Sequence, residues 1–584
     1  MNVKKIRLLT ALLLLSWIGA SAQITQQWLQ QTLAAGGYGV HIVVDKAGYS
    51  YIAGTKESGG VSVSDYLVSK YSPNGTLVWS KTYSGVAGNY DAIEGIAIDD
   101  HANIYVNGFS AETGGIAYMT TIKYDSTGLM KWKKSSYICD SQVPMFGFEV
   151  ALDPFGNVYA LGKKLTTFGP AQQDLILIKY NCSTGDSLWG VVNTTGLGTV
   201  SPALSYEGMK VDQQGNVYIA ESIVDTKPPA SSSYSDKDLL VLKYSAGGIL
   251  KWQVQYNWQN FYYNIGGGLT DHTGSDEFVT DTELDKAGNY YITGYNADST
   301  GKTWALTMKF DSTGTKKWEK RYGMAGRKTY ASGIVLNEIE EIFVACNSDS
   351  VYQGTAFISG IATLKYDPQG NEQWVRTIDT ISTYPTNPGW GTDVAVDNCG
   401  YVYCSGNFSY YHTLTVKYDD AGTEQWRNYT EASGAGTQVI VDHSNVFVAN
   451  IFFEPIGVAN IQVIELQQDP CVPDSTETKT ELNIPNVFTP NGDGTNDVFS
   501  ITTTGYKNYI LKIYNRWGNV VFESSPLSSR RGAGGEASWD GSLTPTLSKG
   551  EGRSAPDGTY YYTLQLTDHQ DVLTKHEGFL TLIR

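Results

Sequence analysis

Short runs in which apolar and polar residues alternate recur along most of the chain, each closed by a turn rich in Gly, Asn and Asp. Alternation of period two is the mark of a strand with one buried face, and such runs bounded by turn residues read as hairpins. One run ends in Asp, passes a Gly-Asn-type turn and resumes as an aromatic strand. It appears as VVDKAGYSYIAG at Asp45, IAIDDHANIYVNG at Asp99 and ALDPFGNVYALG at Asp153, and continues at Asp212, Asp285, Asn337 (in the Asp place), Asp397 and Asp442. That makes eight copies. Between them lies a second element of Lys, aromatic, three residues, Gly, three residues and Trp. It ends at Trp79, Trp132, Trp189, Trp252, Trp318, Trp374 and Trp426, with one extra residue between Tyr180 and Gly185 in the third copy. Trp28 precedes the first Asp element and IQVIEL (Ile461 to Leu466) follows the last, so eight complete units run from Trp28 to Leu466. Each unit offers four strands, taken in the order Trp strand, Asp-terminated strand, aromatic strand and Lys-Tyr strand.

Four-stranded repeats arranged radially solve the edge-strand problem as a propeller. The fold class read here is all-β, an eight-bladed β-propeller with seven blades as the alternative, followed by a small Ig-like β-sandwich. The Trp-to-Trp steps of 53, 57, 63, 66, 56 and 52 residues exceed the roughly 40 to 45 of a WD40 blade. On these motifs the chain resembles the secreted bacterial β-propeller repeat family, whose units carry a D-x-x-G-N-x-Y-V-x-G core and a K-Y-D-x-x-G-x-x-x-W end. The D-x-x-G-x-x-x-W turn also resembles the tryptophan-docking motif of eight-bladed quinoprotein dehydrogenases. The repeated Trp and Tyr are expected to pack between blades, and the repeated Asp to form the turn.

After Leu466 the pattern stops. The segment QQDPCVPDSTETKTELN is polar and Pro-containing, and residues 467–483 read as a linker between the repeat domain (23–466) and a C-terminal domain (484–584). The segments FTPNGDGTNDVF (Phe488 to Phe499), IYNRWG (Ile513 to Gly518), PDGTYYY (Pro556 to Tyr562) and the terminal GFLTLIR resemble the type B C-terminal sorting domain of the type IX secretion system of Bacteroidetes, a gliding-motility-associated domain. The resemblance implies that the type IX secretion machinery is a partner. The stretch between Phe522 and Pro556 is longer and lower in complexity than a turn needs and is expected to be a disordered excursion. Asn491, Asp493, Asn496 and Asp497 are closely spaced oxygen donors on a Gly-rich turn, as calcium requires. The spacing departs from an EF-hand loop, which continues to a Glu, and an Asx-rich turn without metal is the competing reading. No other cofactor is indicated.

Residues 1–22 combine Lys4, Lys5 and Arg7, an apolar run from Leu8 to Ile18, and Ala20 and Ala22, and read as a secretory signal peptide. No later run approaches the roughly 20 apolar residues of a membrane-spanning helix. The expected location is therefore secreted or at the outer cell surface. With 42 Lys+Arg against 59 Asp+Glu, net −17, the chain lacks the basic clusters of a nucleic-acid partner. The six cysteines are too sparse for a disulfide framework, and Cys399 and Cys404 read as partly buried thiols. HExxH, GxSxG and Walker sequences are absent.

Loop lengths locate a binding face. The Asp turns and the Lys-Tyr-to-Trp turns keep nearly fixed lengths and share one plain face. The Trp-to-Asp interval runs from 16 residues (Trp426 to Asp442) to 33 (Trp252 to Asp285), and the Asp-to-Tyr interval reaches 32 (Asp212 to Tyr244). Both intervals open on the other face. The richest insertions there supply Trp258, Phe261, Tyr262, Tyr263 and His272, and then Tyr384 and Trp390. Such aromatics suit stacking on sugars or capture of a polypeptide. The reading is a non-enzymatic binding or adhesion module with an extracellular glycan or protein ligand. The alternative is a glycan-active enzyme or a quinoprotein-like oxidoreductase with its site at the channel.

Overall fold

The computed structural model describes residues 25–34, 40–57, 63–85, 90–111, 116–136, 145–165, 173–193, 198–200, 208–225, 237–257, 260–264, 270–274, 276–298, 301–353, 356–382, 392–409, 412–431, 437–442, 445–453, 459–467, 482–484, 487–490, 499–503, 506–523, 527–528, 535–539, 555–568 and 573–583. The chain divides into two compact units, Met1–Cys471 and Val472–Arg584.

Among the described residues the first unit holds eight antiparallel sheets of four or five strands, which are the blades. Blade 1 runs His41–Val44, Ser50–Glu57, Ser64–Tyr71 and Leu77–Tyr83 from inner to outer strand. Blades 2 and 3 begin at Ala92 and Met145, and blade 4 has its inner strand at Gly208–Val211. Blades 5, 6 and 7 begin at Asp276, Thr329 and Thr392. Blade 8 comprises Thr437–Asp442, Asn445–Phe453 and Ala459–Gln467, and its outer strand is Thr25–Ala34 from the far end of the sequence, in register from Thr25↔Gln467 to Ala34↔Ala459. The count is eight, so the seven-blade alternative falls.

The phase of the repeat differs from the sequence reading. The Trp strand is the outer strand of the blade whose Lys-Tyr strand precedes it, as Lys70↔Trp79 and Lys123↔Trp132 show, and it does not open the next blade. The physical reason is the short turn. Five residues between Tyr71 and Leu77 can only fold back into an antiparallel hairpin, whereas the variable Trp-to-Asp interval crosses to the neighbour. The strand carrying Trp28 therefore closes the last blade, and the ring is sealed by pairing its two ends.

Each blade interface buries one hydrophobic cluster, and eight such clusters go round the ring, the last joining Ile42, Ile52 and Leu67 of blade 1 to Phe447, Ala449 and Val463 of blade 8. The repeat residues build these interfaces. At the Asp turn, Asp45 Oδ1 accepts from the N–H groups of Ala47 and Tyr49, and Oδ2 from Tyr51 Oη at 3.0 Å. The Lys of the third strand lies over the same ring, Lys70 Nζ being 4.8 Å from the Tyr51 centroid. Each Trp reaches the following blade. The indole N–H groups of Trp79, Trp132, Trp189, Trp252, Trp318 and Trp374 donate at 2.9 to 3.2 Å to turn carbonyls of Ser126, Cys182, Ala246, Ser312, Pro368 and Asp420. The turn glycine of that next blade lies flat on the indole. A Cβ on Gly185 would stand 2.7 Å from Trp132 Cδ2, and its φ of +70° is itself a left-handed conformation that suits glycine. The motif K-Y-x3-G-x3-W is thus a blade-to-blade latch.

Two sequence expectations are corrected. Cys399 is disulfide-bonded, with its partner outside the described residues, while Cys404 is a fully buried free thiol. The stretch after Phe522 contributes strands Leu527–Ser528 and Gly535–Trp539, and Trp539 is 1% exposed at the centre of the second unit's core. A Trp in a polar, Gly-rich stretch still gains more from burial than the stretch loses in ordering, which overrides the low-complexity signal.

The second unit packs a three-stranded sheet against a six-stranded one. Between them lie Phe488, Phe499, Leu511, Ile513, Trp539 and Tyr560. The terminal strand Leu573–Leu582 pairs in parallel with Val487–Phe488, tying the two ends of the domain together.

Candidate functional site

The inner strands of neighbouring blades lie side by side around a central channel. In seven of the eight the residue three before the turn residue is buried between blades, the exception being half-buried Ile96; the residue two before it keeps part of its surface free in all eight, and the one four before does so wherever it is not glycine. The position four before the turn carries His41, Glu149, Asp281, Asp393 and Gln438, alternating with Gly95, Gly208 and Gly333. Each carboxylate braces the next blade. Glu149 Oε2 accepts from Met209 N at 2.7 Å, Asp281 Oδ2 from Ile334 N at 2.9 Å, and Asp393 Oδ2 from Val439 N at 2.9 Å, and Gln438 Oε1 does the same for Ile42 N at 2.8 Å. The glycines leave room for these braces: a Cβ on Gly333 would meet Asp393 Oδ1 at 2.7 Å.

Two before the turn, the ring is apolar except for Lys210 and Glu283 of adjacent blades, whose charged ends are 3.9 Å apart and whose side chains are 32% and 29% exposed. That exposure is to the channel, since the surrounding strands enclose them. Burial pushes Glu149 up to about 8 against the pull of Lys210, and raises Asp281 to about 6. Asp393 is raised to about 7, by burial first and by the charge of Asp281 second, and Glu94 to about 7 by burial. Glu283, followed by Asp281, Glu149 and Asp393, holds Lys210 firmly protonated. The channel thus gathers carboxyls held above their ordinary range by burial around the Lys210 ammonium. No three of the described His, Cys, Asp and Glu residues come together as a metal site.

Above this ring, at the variable-face ends of the inner and second strands, partly exposed aromatics cluster. Phe278 stacks on Tyr295 at 4.5 Å and Tyr330 meets Tyr295 edge-on at 4.9 Å, with Lys237 Nζ 4.1 Å over Phe278. On blades 2 and 3, Phe109 packs against Phe146 at 5.1 Å and Tyr90 at 5.7 Å. Blade 6 extends its second and third strands to Gln353 and Ala356, and there Tyr352 is 60% exposed beside Phe357.

The sequence candidates fall as follows. Phe261, Tyr262, Tyr263 and His272 lie on a two-stranded hairpin, Asn260–Asn264 with Thr270–Gly274, in which Tyr262 pairs with His272. It is inserted between the outer strand of blade 4 and the inner strand of blade 5. Trp258, Tyr384, Trp390, Asn491, Asp493, Asn496 and Asp497 lie outside the described residues. Sequence reasoning missed the rim of Phe146, Phe278 and Tyr330, although a signal was present: each stands seven residues before its turn Asp153, Asp285 or Asn337, as Trp390 does before Asp397. It also missed the channel carboxylates, whose signal was Asp or Glu four before the turn.

No curated protein is similar to this chain. Among solved structures, a protein of unknown function from Dyadobacter fermentans is 12% identical, covering 55% of this chain and 93% of that one, with a TM-score of 0.33. The WD40 domain of SCAP from fission yeast is 7% identical, covering 76% and 98%, with a TM-score of 0.37. The polysaccharide lyase Uly1 is 9% identical, covering 66% and 92%, with a TM-score of 0.38. Residues 482–582 match the CHU_C type IX secretion signal domain. No helix among the described residues is long and apolar enough to cross a membrane. The second unit of this chain is therefore a type IX secretion signal domain, and the propeller that precedes it is cargo for export to the cell surface or the extracellular space.

Proposed function

We propose that the exported propeller is a non-enzymatic binding module that holds an extracellular glycan or polypeptide on its variable face. The observation that carries this reading is the partly exposed aromatic rim of Phe146, Phe278, Tyr295 and Tyr330 at the channel mouth, on the face that also receives the hairpin of Phe261, Tyr262 and Tyr263. Large amphipathic rings supply contact area at low entropic cost. The opposite face has its turns committed to the latch. A second reading, a glycan-active enzyme, is favoured by the carboxyls of Glu149 and Asp393, poised near neutrality in the channel. Against it, one oxygen of each is already engaged by the next blade's N–H.

The test is a glycan and peptide binding screen of the full chain alongside hydrolase and lyase assays. Replacing Trp258, Tyr262 and Tyr263 together by Ala should weaken binding by about 2 kcal/mol or more. Unchanged affinity in that variant refutes the hairpin as part of the site. Turnover that disappears in Glu149→Gln establishes the second reading.

A further inference from the structure

Cys399 carries a disulfide whose other half stands outside the described residues. Of the six cysteines, Cys182, Cys346 and Cys404 are free thiols, which leaves Cys139 and Cys471. Chain reach decides between them.

Cys399 stands two residues into the blade 7 turn, its N–H donating to Asp397 Oδ1 at 2.9 Å. In blades 1 to 6 the same place holds Ala47, His101, Phe155, Gln214, Ala287 and Ile339, every one exposed, whereas Cys399 is half-buried. Six exposed side chains of different chemistry show that the turn asks nothing of this position. The cysteine and its cover answer to something beyond the turn.

A disulfide bridges Cα atoms at most about 7 Å apart. Cys139 follows Ser136, the last residue of blade 2's outer strand, by three positions, and three residues span at most about 11 Å. That strand of 7 residues runs about 23 Å from the turn face to the variable face, so Ser136 stands at the far end from the Asp turns. Blades 8 and 1 also intervene between blades 7 and 2. Cys139 is out of reach.

Gln467 ends the third strand of blade 8 on the turn face, paired with Asn445, and Cys471 follows it by four residues, a reach of about 14 Å. Blades 7 and 8 are neighbours there: Leu466 shares one buried cluster with Tyr403, whose hydroxyl donates to Asp397 Oδ2 at 2.6 Å. The same juxtaposition is measurable elsewhere in the ring. Lys179 Nζ sits 3.2 Å from Asp153 Oδ2 of its own blade and 3.4 Å from Ala246 O, two residues past the third strand of the next. A third strand thus ends beside the Asp turn of the blade before it. The first compact unit also ends at Cys471.

We infer that Cys399 and Cys471 are joined, and that their bond is a clasp on the seam of the ring. It forms as each thiol gives up its proton and the two sulfurs together give two electrons to a protein disulfide of the oxidising compartment crossed on export, which leaves as two thiols. The loop it closes holds the three strands that blade 8 draws from this end of the chain, Thr437–Asp442, Asn445–Phe453 and Ala459–Gln467. Beyond Cys471 the chain runs on to the secretion signal domain at 482–582. A pull on that domain reaches blade 7 through the bond, and spares the strand that pairs with Thr25–Ala34 to seal the ring.

The experiment is peptide mapping by mass spectrometry of the full chain recovered after export, with free thiols alkylated and no reductant added. The peptide of Cys399 should be found joined to that of Cys471, with Cys404 alkylated. A link from Cys399 to Cys139, a link between two chains, or an alkylated Cys399 overturns the proposal. Thermal melts of Cys399→Ala, Cys471→Ala and the double variant test the clasp. All three should melt lower than the oxidised wild type by the same amount, about 4 to 8 °C, and match the reduced wild type. Additive losses, or melts equal to that of the oxidised wild type, overturn the clasp.

Discussion

The latch makes a prediction in which the molecule supplies both the test and its comparison. Trp132 and Trp426 occupy the same position of the repeat and are nearly equally buried, 8% and 7% exposed. They differ in one bond. Trp132 Nε1 donates to Cys182 O at 3.0 Å, whereas Trp426 Nε1 is buried with no partner among the described residues. The cause is the closure. Blade 8 takes its outer strand from residues 25–34, so its third strand is not joined to its outer strand by the short turn that supplies the carbonyl in the other blades, and the described residues offer none to Trp426. Replacing either Trp by Phe removes the same ring atoms, and the cavity contribution should be similar at the two sites. At Trp132 the change also removes a net favourable hydrogen bond, about 1 kcal/mol; the carbonyl itself stays satisfied by Lys123 Nζ at 2.9 Å. At Trp426 it removes a buried donor whose desolvation costs about 1 to 3 kcal/mol. Trp132→Phe should therefore be less stable than Trp426→Phe by about 2 to 4 kcal/mol. Denaturant unfolding of the two variants measures this, with unfolding rates used if refolding is incomplete. Equal losses at both positions would show that the indole N–H contributes nothing and that the motif acts by ring packing alone.

Lys163 and Glu221, on adjacent blades, form an ion pair at 3.0 Å with both side chains at most 2% exposed; Lys163→Ala should cost about 3 to 5 kcal/mol, and Lys163→Met with Glu221→Leu should recover most of it. Stability should fall as pH rises. Glu94, Glu149, Asp281 and Asp393 bind protons more tightly folded than unfolded, so their contribution is full below about pH 4 and is lost progressively up to about pH 8, the value for Glu149. Asp311, lowered to about 2 chiefly by Thr313, acts with the opposite sign and only in acid. Melts at pH 5 and pH 8 check this, and Glu149→Gln should flatten the difference; equal melting points at the two values would refute it. Deleting residues 482–584 should leave a folded propeller in the periplasm, and surface delivery of the truncated chain, read by protease accessibility on whole cells, would refute the assignment of the address.

What the sequence revealed and what it hid divide along a physical line. Blade number was legible because successive interfaces use the same parts: the Lys, Tyr, Gly and Trp of the latch recur seven times at nearly fixed spacing, and the Asp turn eight times. The phase was not legible, since a strand between two turns has the same alternating pattern whichever blade it joins. Only the five residues between Tyr71 and Leu77, too few for anything but a hairpin, decide it. The closure of blade 8 was half visible, in the missing Lys-Tyr element after Asp442, but pairing across more than 400 residues has no local signal. Trp539 was hidden by its neighbours, because composition averaged over a Gly- and Ser-rich stretch says nothing about one ring that fills a core. The channel was hidden in another way. Glu149, Asp281 and Asp393 stand 132 and 112 residues apart in the chain and become neighbours only when the ring closes. A brace that alternates with glycine through blades 2 to 7 doubles the repeat there, so it does not stand out when units are compared one by one. Fold-maintaining residues recur in every blade, and a residue class confined to consecutive blades therefore answers to something outside the blade. By that criterion the aromatic insertion between blades 4 and 5 is a place where this propeller departs from what its own folding requires.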